Sequence, residues 1–247
     1  MDLVRLVADW FSDPARWTGS DGIPNRLVEH VTLSGAVVIV ALAIALPVGL
    51  YIGHTGRGAI VAIGAANLGR AVPSYALLLM FFPLFGLGFG TAFPALVLLA
   101  IPPVLTNTYV GLRDVDRETV EAARGMGMTE WQLLRGVELP IALPVIVAGA
   151  RTAAVQVVAT ATLAALVAGG GLGRYIVDGF ALQDDGRLLG GAILVALLAL
   201  ATERLFTLVE RRLVSPGIRG AAPPGGQPYE FAGQVPRPMA DSASGVI

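Results

Sequence analysis

The sequence predicts an all-α polytopic membrane protein of about five transmembrane helices, and three observations predict it. First, 55% of the 247 residues are hydrophobic and only 14% are charged, whereas soluble domains carry roughly 25% charged residues. Second, the mean hydropathy is +0.71, and the apolar residues gather into runs long enough to cross a bilayer, which takes about 20 residues as a helix. Third, one polar, helix-capable island, residues 121–140 (EAARGMGMTEWQLLRGVELP), separates two of these runs. In lipid a helix satisfies its own backbone hydrogen bonds, so unbroken apolar runs read as helices. The net charge of −1 carries no footprint of nucleic-acid binding. Cysteine is absent, which excludes disulfides, thiolate catalysis and Cys-based metal sites. Every basic residue is arginine.

Residues 1–29 read as an interfacial, extracytoplasmic segment. Leu3, Leu6, Val7, Trp10 and Phe11 share one helical face, as in a helix lying on a membrane surface. Asp2, Asp9, Asp13 and Arg16 interrupt residues 1–20, so no cleavable signal peptide is expected. A short approach, residues 25–30, leads into a first span at 31–53, with Pro47 inside it. Residues 59–86 exceed one span and contain Asn67, Arg70, Pro73 and Ser74; they read as one tilted or broken helix with an entry segment at 59–70. After a loop at 86–90, a third span covers about 92–112, where Pro102 and Pro103 remove two ladder hydrogen bonds and predict a kink. A fourth span covers about 141–168, a glycine-rich break follows at 169–173, a polar loop at 174–187, and a last span at about 188–208. The Pro-, Gly- and Ser-rich residues 214–247 read as a disordered cytoplasmic tail. The transmembrane unit is thus 30–213.

Basic residues favour the cytoplasmic side. Arg113, Arg117, Arg124 and Arg135 around the island, with Arg204, Arg211, Arg212 and Arg219, outnumber Arg174 and Arg187 between the last two spans. The island and C-terminus are therefore expected in the cytoplasm and the N-terminus outside, with Arg5, Arg16 and Arg26 pulling the other way.

The island has local logic. Asp116 can cap a helix starting at Arg117, with Glu118 and Glu121 near its positive end. Ala122 and Ala123 favour helix and let another surface approach closely. Gly125 and Gly127 can stop the helix. Thr129 and Gln132 form a capping-box pattern for a second helix, on which Trp131, Leu134 and Val137 share a side. Leu139-Pro140 is expected to end the unit. The alternative is an amphipathic helix resting on the bilayer, but the Lys/Arg-rich face such helices use is missing.

Glu121-Ala122-Ala123, Gly127, Val137 and Leu139-Pro140 resemble the EAA loop of permease subunits of binding-protein-dependent ABC importers, with Val137 where isoleucine is commoner. Residues 67–78 (NLGRAVPSYALL), Asn107-Thr108-Tyr109, residues 149–152 and 160–165 and the glycines of 169–173 resemble the osmoprotectant branch, which handles glycine betaine, choline and carnitine. The similarity spans roughly residues 27–213. Arg70 and Tyr75 depart from it, where a neutral residue and leucine are expected.

The resemblance implies a type I ABC importer permease fold with a cytoplasmic coupling-helix loop at 113–140, in a bacterial cell membrane. It implies a second permease, a copy or a sister, two ATPase subunits that hold Mg-ATP, and an extracytoplasmic substrate-binding protein. This chain would need no cofactor and, lacking Lys altogether, has no Gly-x-x-x-x-Gly-Lys-Ser/Thr loop of its own. Coupling to the ATPase falls to Glu121, Ala122, Ala123, Arg124, Gly127, Leu139 and Pro140, within residues 117–138 and the Leu-Pro that follows them.

Other residues carry open readings. Glu121 either contacts a partner or steadies a helix end; Arg124 and Trp131 either anchor an interface or, for Trp131 the preferred reading, pack beneath the spans. Arg151, the one charge well inside span four, is expected to pair with an acidic residue of the island. Pro73, Ser74, Tyr75, Thr106, Asn107 and Tyr109 are pathway candidates, with interhelical hydrogen bonding as the alternative; Tyr75 offers a face to a quaternary ammonium. Gly169 and Gly171 either hinge a gate or form a plain loop. His30 and His54 are expected at the surface, too isolated for a metal site. A membrane enzyme is disfavoured, because the spans hold no carboxylate pair, Ser/His/Asp set or metal-ligand cluster. A permease for another small solute, such as an amino acid, and a non-transport assembly protein are the competing functions.

Overall fold

The computed structural model describes residues 3–214, without the side chain of Arg70. Beyond Val214 the expected tail lies outside the described residues. The described chain is all helical. α1 (Leu3–Ser12) precedes a 3₁₀ turn at Pro14–Arg16 and the first long helix, α2 (Ile23–Thr55). α3 (Ala59–Ala71) and α4 (Ser74–Phe85) come next, then α5 (Phe89–Arg113). α6 (Arg117–Gly125) and α7 (Glu130–Leu133) form the polar island, and a π turn at Leu134–Glu138 leads into α8 (Leu139–Thr160). A 3₁₀ segment at Ala161–Val167, α9 (Gly173–Leu182) and α10 (Asp185–Leu213) complete the described chain.

Among the described residues four helices are long and apolar enough to cross a membrane: Ile23–Thr55, Phe89–Arg113, the continuous helical stretch Glu130–Val167, and Asp185–Leu213. α3 and α4 make up to a fifth crossing, with axes meeting at 91°. Pro73 sits at that corner, where the residue before a proline, Val72, leaves the helical region (φ −78°, ψ 125°).

α5 is the centre of the bundle. It packs along α2 and α8 and is covered by α3 and α4. Small residues allow the approach: a Cβ on Gly49 of α2 would sit 2.7 Å from Thr108 Cβ, and one on Gly149 of α8 would sit 2.5 Å from Asn107 Cβ. Val37, Ala41, Ala95, Ala100, Val104, Ala153 and Val157 fill the main core with essentially no exposure. α10 instead turns Leu197, Leu200, Leu205 and Leu208 outward, as a helix facing lipid does.

Several expectations need correction. The approach at 25–30 and the first span are one helix, started by Pro24 in its first turn after Gly22. The loop at 174–187 is mostly α9, closed by Gln183 in the left-handed region (φ 54°), after which Asp184 caps α10 through the Arg187 N–H. Leu139-Pro140 does close the island, but with no break in the helical path, since α8 begins at Leu139 directly after the π turn. Pro140 has no N–H to donate, and the ladder widens into the π turn just before it, with the Leu139 N–H reaching back to the Leu134 carbonyl.

Candidate coupling site

The polar island folds as two short helices joined by an elbow. Asp116 accepts hydrogen bonds from the Thr119 N–H (3.0 Å) and hydroxyl (2.9 Å), which hold its carboxyl below the usual aspartate range. α6 ends at Gly125, and Gly127 takes φ +85°, a left-handed angle that L side chains adopt at a cost. The Met128 N–H then bonds back to Ala123 O at 3.3 Å. Thr129 and Gln132 make both halves of the capping box that starts α7. Arg124 of α6 grips Glu130 of α7 with two parallel bonds of 3.0 and 2.9 Å; the hydrogen bonds to that carboxylate raise the arginine's pKa.

This unit sits under the ends of α2 and α5. A cleft of about 380 Å³ between them is lined by Gly53, His54 and Thr55, by Leu112, Arg113 and Val115, and by Arg117, Val120, Glu121, Arg124 and Glu138. His54 is not a surface histidine: its Nδ1 lies 2.5 Å from Glu138 Oε2 and its Nε2 3.2 Å from Glu130 Oε2. Sequence reading missed Glu138, whose one signal was an acidic residue placed just before an apolar run.

The island's residues split between two faces. Ala123 is buried, 3% exposed, and supports the fold of the island. Glu121, Ala122 and Arg124 are exposed. Met126 is 77% exposed and Trp131 64% exposed, with the Arg135 guanidinium 5.2 Å above the indole ring. Trp131 therefore does not pack beneath the spans. Leu139 and Pro140 are half-buried at the root of α8. Arg151 pairs with Glu203 (3.6 Å) and Glu210 (3.3 Å) of α10 rather than with the island.

A second cavity, of about 300 Å³, lies beside the α3–α4 corner and is lined by Gly69, Val72, Ser74, Leu99, Pro102, Thr152 and Gln156. Of the pathway candidates, Ser74 lines it. Pro73 forms the corner, and Tyr75 is half exposed next to it. Asn107 bonds the Pro103 carbonyl at 2.7 Å and packs on Gly149, and Tyr109 packs against the main core; Thr106 Oγ1 is buried without a hydrogen-bond partner. Sequence reading missed Thr152 and Gln156, polar residues four apart in the apolar run of α8.

At the far end of α2 a strap at 168–172 is tied down. Gly171 (φ +77°) donates its N–H to Glu29 Oε2 at 2.8 Å, and the Leu172 N–H reaches His30 Nδ1 at 3.3 Å. The Gly169 N–H bonds Ala164 O at 2.7 Å. His30 is 1% exposed, and its Nε2 donates to the Val158 carbonyl at 2.9 Å, so it too is a core residue.

Residues 32–215 match the family described as the inner membrane component of binding-protein-dependent transport systems. The chain is 42% identical over 200 residues to the carnitine transport permease protein OpuCB of Listeria monocytogenes, covering 80% of this chain and 92% of that one. It is 37% identical over 192 residues to the glycine betaine/carnitine/choline transport system permease protein OpuCB of Bacillus subtilis, covering 78% and 88%. It is 37% identical to the osmoprotectant import permease protein OsmW of Salmonella typhimurium, covering 77% and 91%. In three dimensions it resembles the inward-facing MetNI methionine ABC transporter, with a TM-score of 0.71 at 23% identity over 83% of this chain and all of that one. The chain belongs to the binding-protein-dependent transport system inner membrane components: it is a multi-pass permease subunit of an ABC importer, built on the type I importer fold.

Proposed function

We propose that this permease carries compatible solutes of the glycine betaine, choline and carnitine type. The observation that carries this reading is the 42% identity, over 80% of the chain, with a permease named for carnitine. The neighbours named for methionine and amino acids share at most 23% identity and inform only the fold.

In this reading the chain pairs with a second permease, a copy or a sister, above two ATPase subunits that hold Mg-ATP. The island faces the cytosol together with the C-terminus, and the N-terminus and the strap at 168–172 face outside, where a binding protein delivers solute. Glu121, Ala122 and Arg124 meet the ATPase, Gly127 holds the elbow, and Leu139 and Pro140 root the knob in α8. The cavity by Ser74, Thr152 and Gln156 is this subunit's share of the pathway. Its neutral polar groups suit a zwitterion or a cation without a fixed counter-charge.

Uptake of labelled glycine betaine, choline and carnitine in a strain lacking its other compatible-solute importers tests the assignment. Expression of this chain with its partner subunits is expected to restore uptake of at least one of them, against unlabelled methionine as competitor. Unchanged uptake of all three, or full competition by methionine, overturns it.

A further inference from the structure

His54 lies at the cytosolic end of α2 and touches two parts of the island. Its Nδ1 is 2.5 Å from Glu138 of the π turn, whose side chain is 7% exposed, and its Nε2 is 3.2 Å from Glu130 of α7. Glu130 in turn is held bidentately by Arg124 of α6. Arg124, Glu130, His54 and Glu138 thus form one chain of contacts running from α6 through α7 and α2 to the root of α8.

We propose that His54 is a positioning residue that keys the coupling knob to α2, so that a push on the knob moves α2 as well as the helices to which the knob is covalently joined. By chain connectivity the knob continues only into α5 and α8. Leu46 and Leu50 of α2 and Leu134 and Leu139 also pack against the shared apolar cluster of Leu112, Ala142 and Ile146, but such contacts are non-directional and tolerate sliding. A directional polar contact fixes register, and removing the ring leaves the Glu138 carboxyl, whose side chain is 7% exposed, without that partner. The imidazole thus spans carboxylates on two separate elements of the island, Glu138 of the π turn and Glu130 of α7. Above this joint α2 meets α5 closely at Gly49 and Gly53, where an added Cβ would lie 2.7 and 2.9 Å from Thr108 and Leu112. A displacement of His54 therefore enters the central helix pair of the bundle.

The inference rests on the importer reading above, and two readouts separate the two. The assembled complex is reconstituted into liposomes with its ATPase, partner permease and binding protein, and labelled glycine betaine imported per ATP hydrolysed is measured. His54→Ala and Glu130→Gln are each expected to lower that ratio roughly tenfold, within the range by which residues off a ligand site modulate coupling. Combining them is expected to cost little more than either alone, and His54→Arg, a fixed cation between the same carboxylates, is expected to recover most of it. Glu130 is exposed, so Glu130→Gln carries the test even if His54→Ala does not assemble. Ratios equal to wild type in the assembled single variants, or additive losses, overturn the proposal. The second readout needs no solute. The chain has no cysteine, so spin labels at Met126→Cys and Ile44→Cys, in otherwise cysteine-free partners, report the distance between knob and α2. That distance is expected to stay narrow on ATP binding and to broaden in Glu130→Gln; an unchanged distribution overturns the proposal whether or not glycine betaine is the solute.

Discussion

The guanidinium of Arg151 on α8 lies 3.3 Å from the carboxylate of Glu210 on α10, with Glu203, two turns earlier on the same face, at 3.6 Å. α10 buries little of its own surface, and this pair pins it to the bundle near its C-terminal end. A charge in a membrane helix is retained where it faces protein and a partner. Arg151→Leu is expected to lower the thermal midpoint of the detergent-solubilised chain, and a cycle with Glu210→Gln is expected to show a coupling of about 1 kcal/mol. The arginine is partly exposed, so a larger value is not expected. Additive losses in the cycle would show that the pair contributes nothing.

The α5–α8 contact depends on a missing side chain. A Cβ on Gly149 would lie 2.5 Å from Asn107 Cβ and 2.9 Å from the Pro103 carbonyl, which is backbone and cannot move aside. Gly149→Val is expected to destabilise the chain by about 1–3 kcal/mol or more, as overpacking does. Gly64 of α3 has nothing within 4 Å of its Cβ position, so Gly64→Ala is expected to be neutral or to stabilise by up to about 1 kcal/mol through helix propensity. Melting of the two purified variants against wild type distinguishes a packed glycine from an open one.

These contacts show where sequence reading reaches and where it stops. The caps at Asp116 and Thr129 and the elbow at Gly127 were legible because each is made by residues within a few positions of one another. His54 and Glu138 are 84 positions apart, and Gly171 and Glu29 are 142 apart; no local pattern links them, so both histidines read as surface residues. Arg151 was legible as a charge needing a partner, but its partner lies 59 positions on, beyond the nearer island. α9 was read as a loop because its polar residues hid a short amphipathic helix, and the π turn before Pro140 was hidden because a proline is normally a stop.

The strap at 168–172 is expected to owe its order to two side chains of α2. Gly171 and Leu172 donate to Glu29 and His30, and a backbone N–H that loses its acceptor in a buried place costs roughly 1–3 kcal/mol. Glu29→Ala is expected to speed hydrogen exchange at the Gly171 amide by about 5- to 150-fold on that scale, while amides in the middle of α5 stay protected. His30→Leu is expected to do the same at Leu172 and also to free the Val158 carbonyl. Equal exchange in the variants and wild type would mean that the strap is held by its own 3₁₀ segment instead.

Trp131 stands on the exposed face of the knob and not in its core. It is 64% exposed, its only ring partner among the described residues is the Arg135 guanidinium, and Met126 beside the elbow is more exposed still. Large apolar groups on an otherwise polar knob gain little by staying in water, and aromatic residues next to arginine are the type that dominates protein interfaces. Trp131→Ala is therefore expected to leave the isolated chain's melting within about 0.5 kcal/mol of wild type, as exposed substitutions do. The same change is expected to weaken co-purification with the ATPase by roughly 30-fold or more in affinity, the scale of an interface anchor. Gly127→Val acts on the same surface differently. Its φ of +85° penalises any side chain while nothing lies within 4 Å of its Cβ position, so it distorts the elbow without a clash. Transport is expected to fall in both variants, with Trp131→Ala lowering ATPase affinity and Gly127→Val lowering the solute moved by complexes that still form. If Trp131→Ala instead lowered the melting point and left ATPase binding intact, the indole would be supporting the knob's own fold, and the outward face would have to be sought around Glu121 and Ala122.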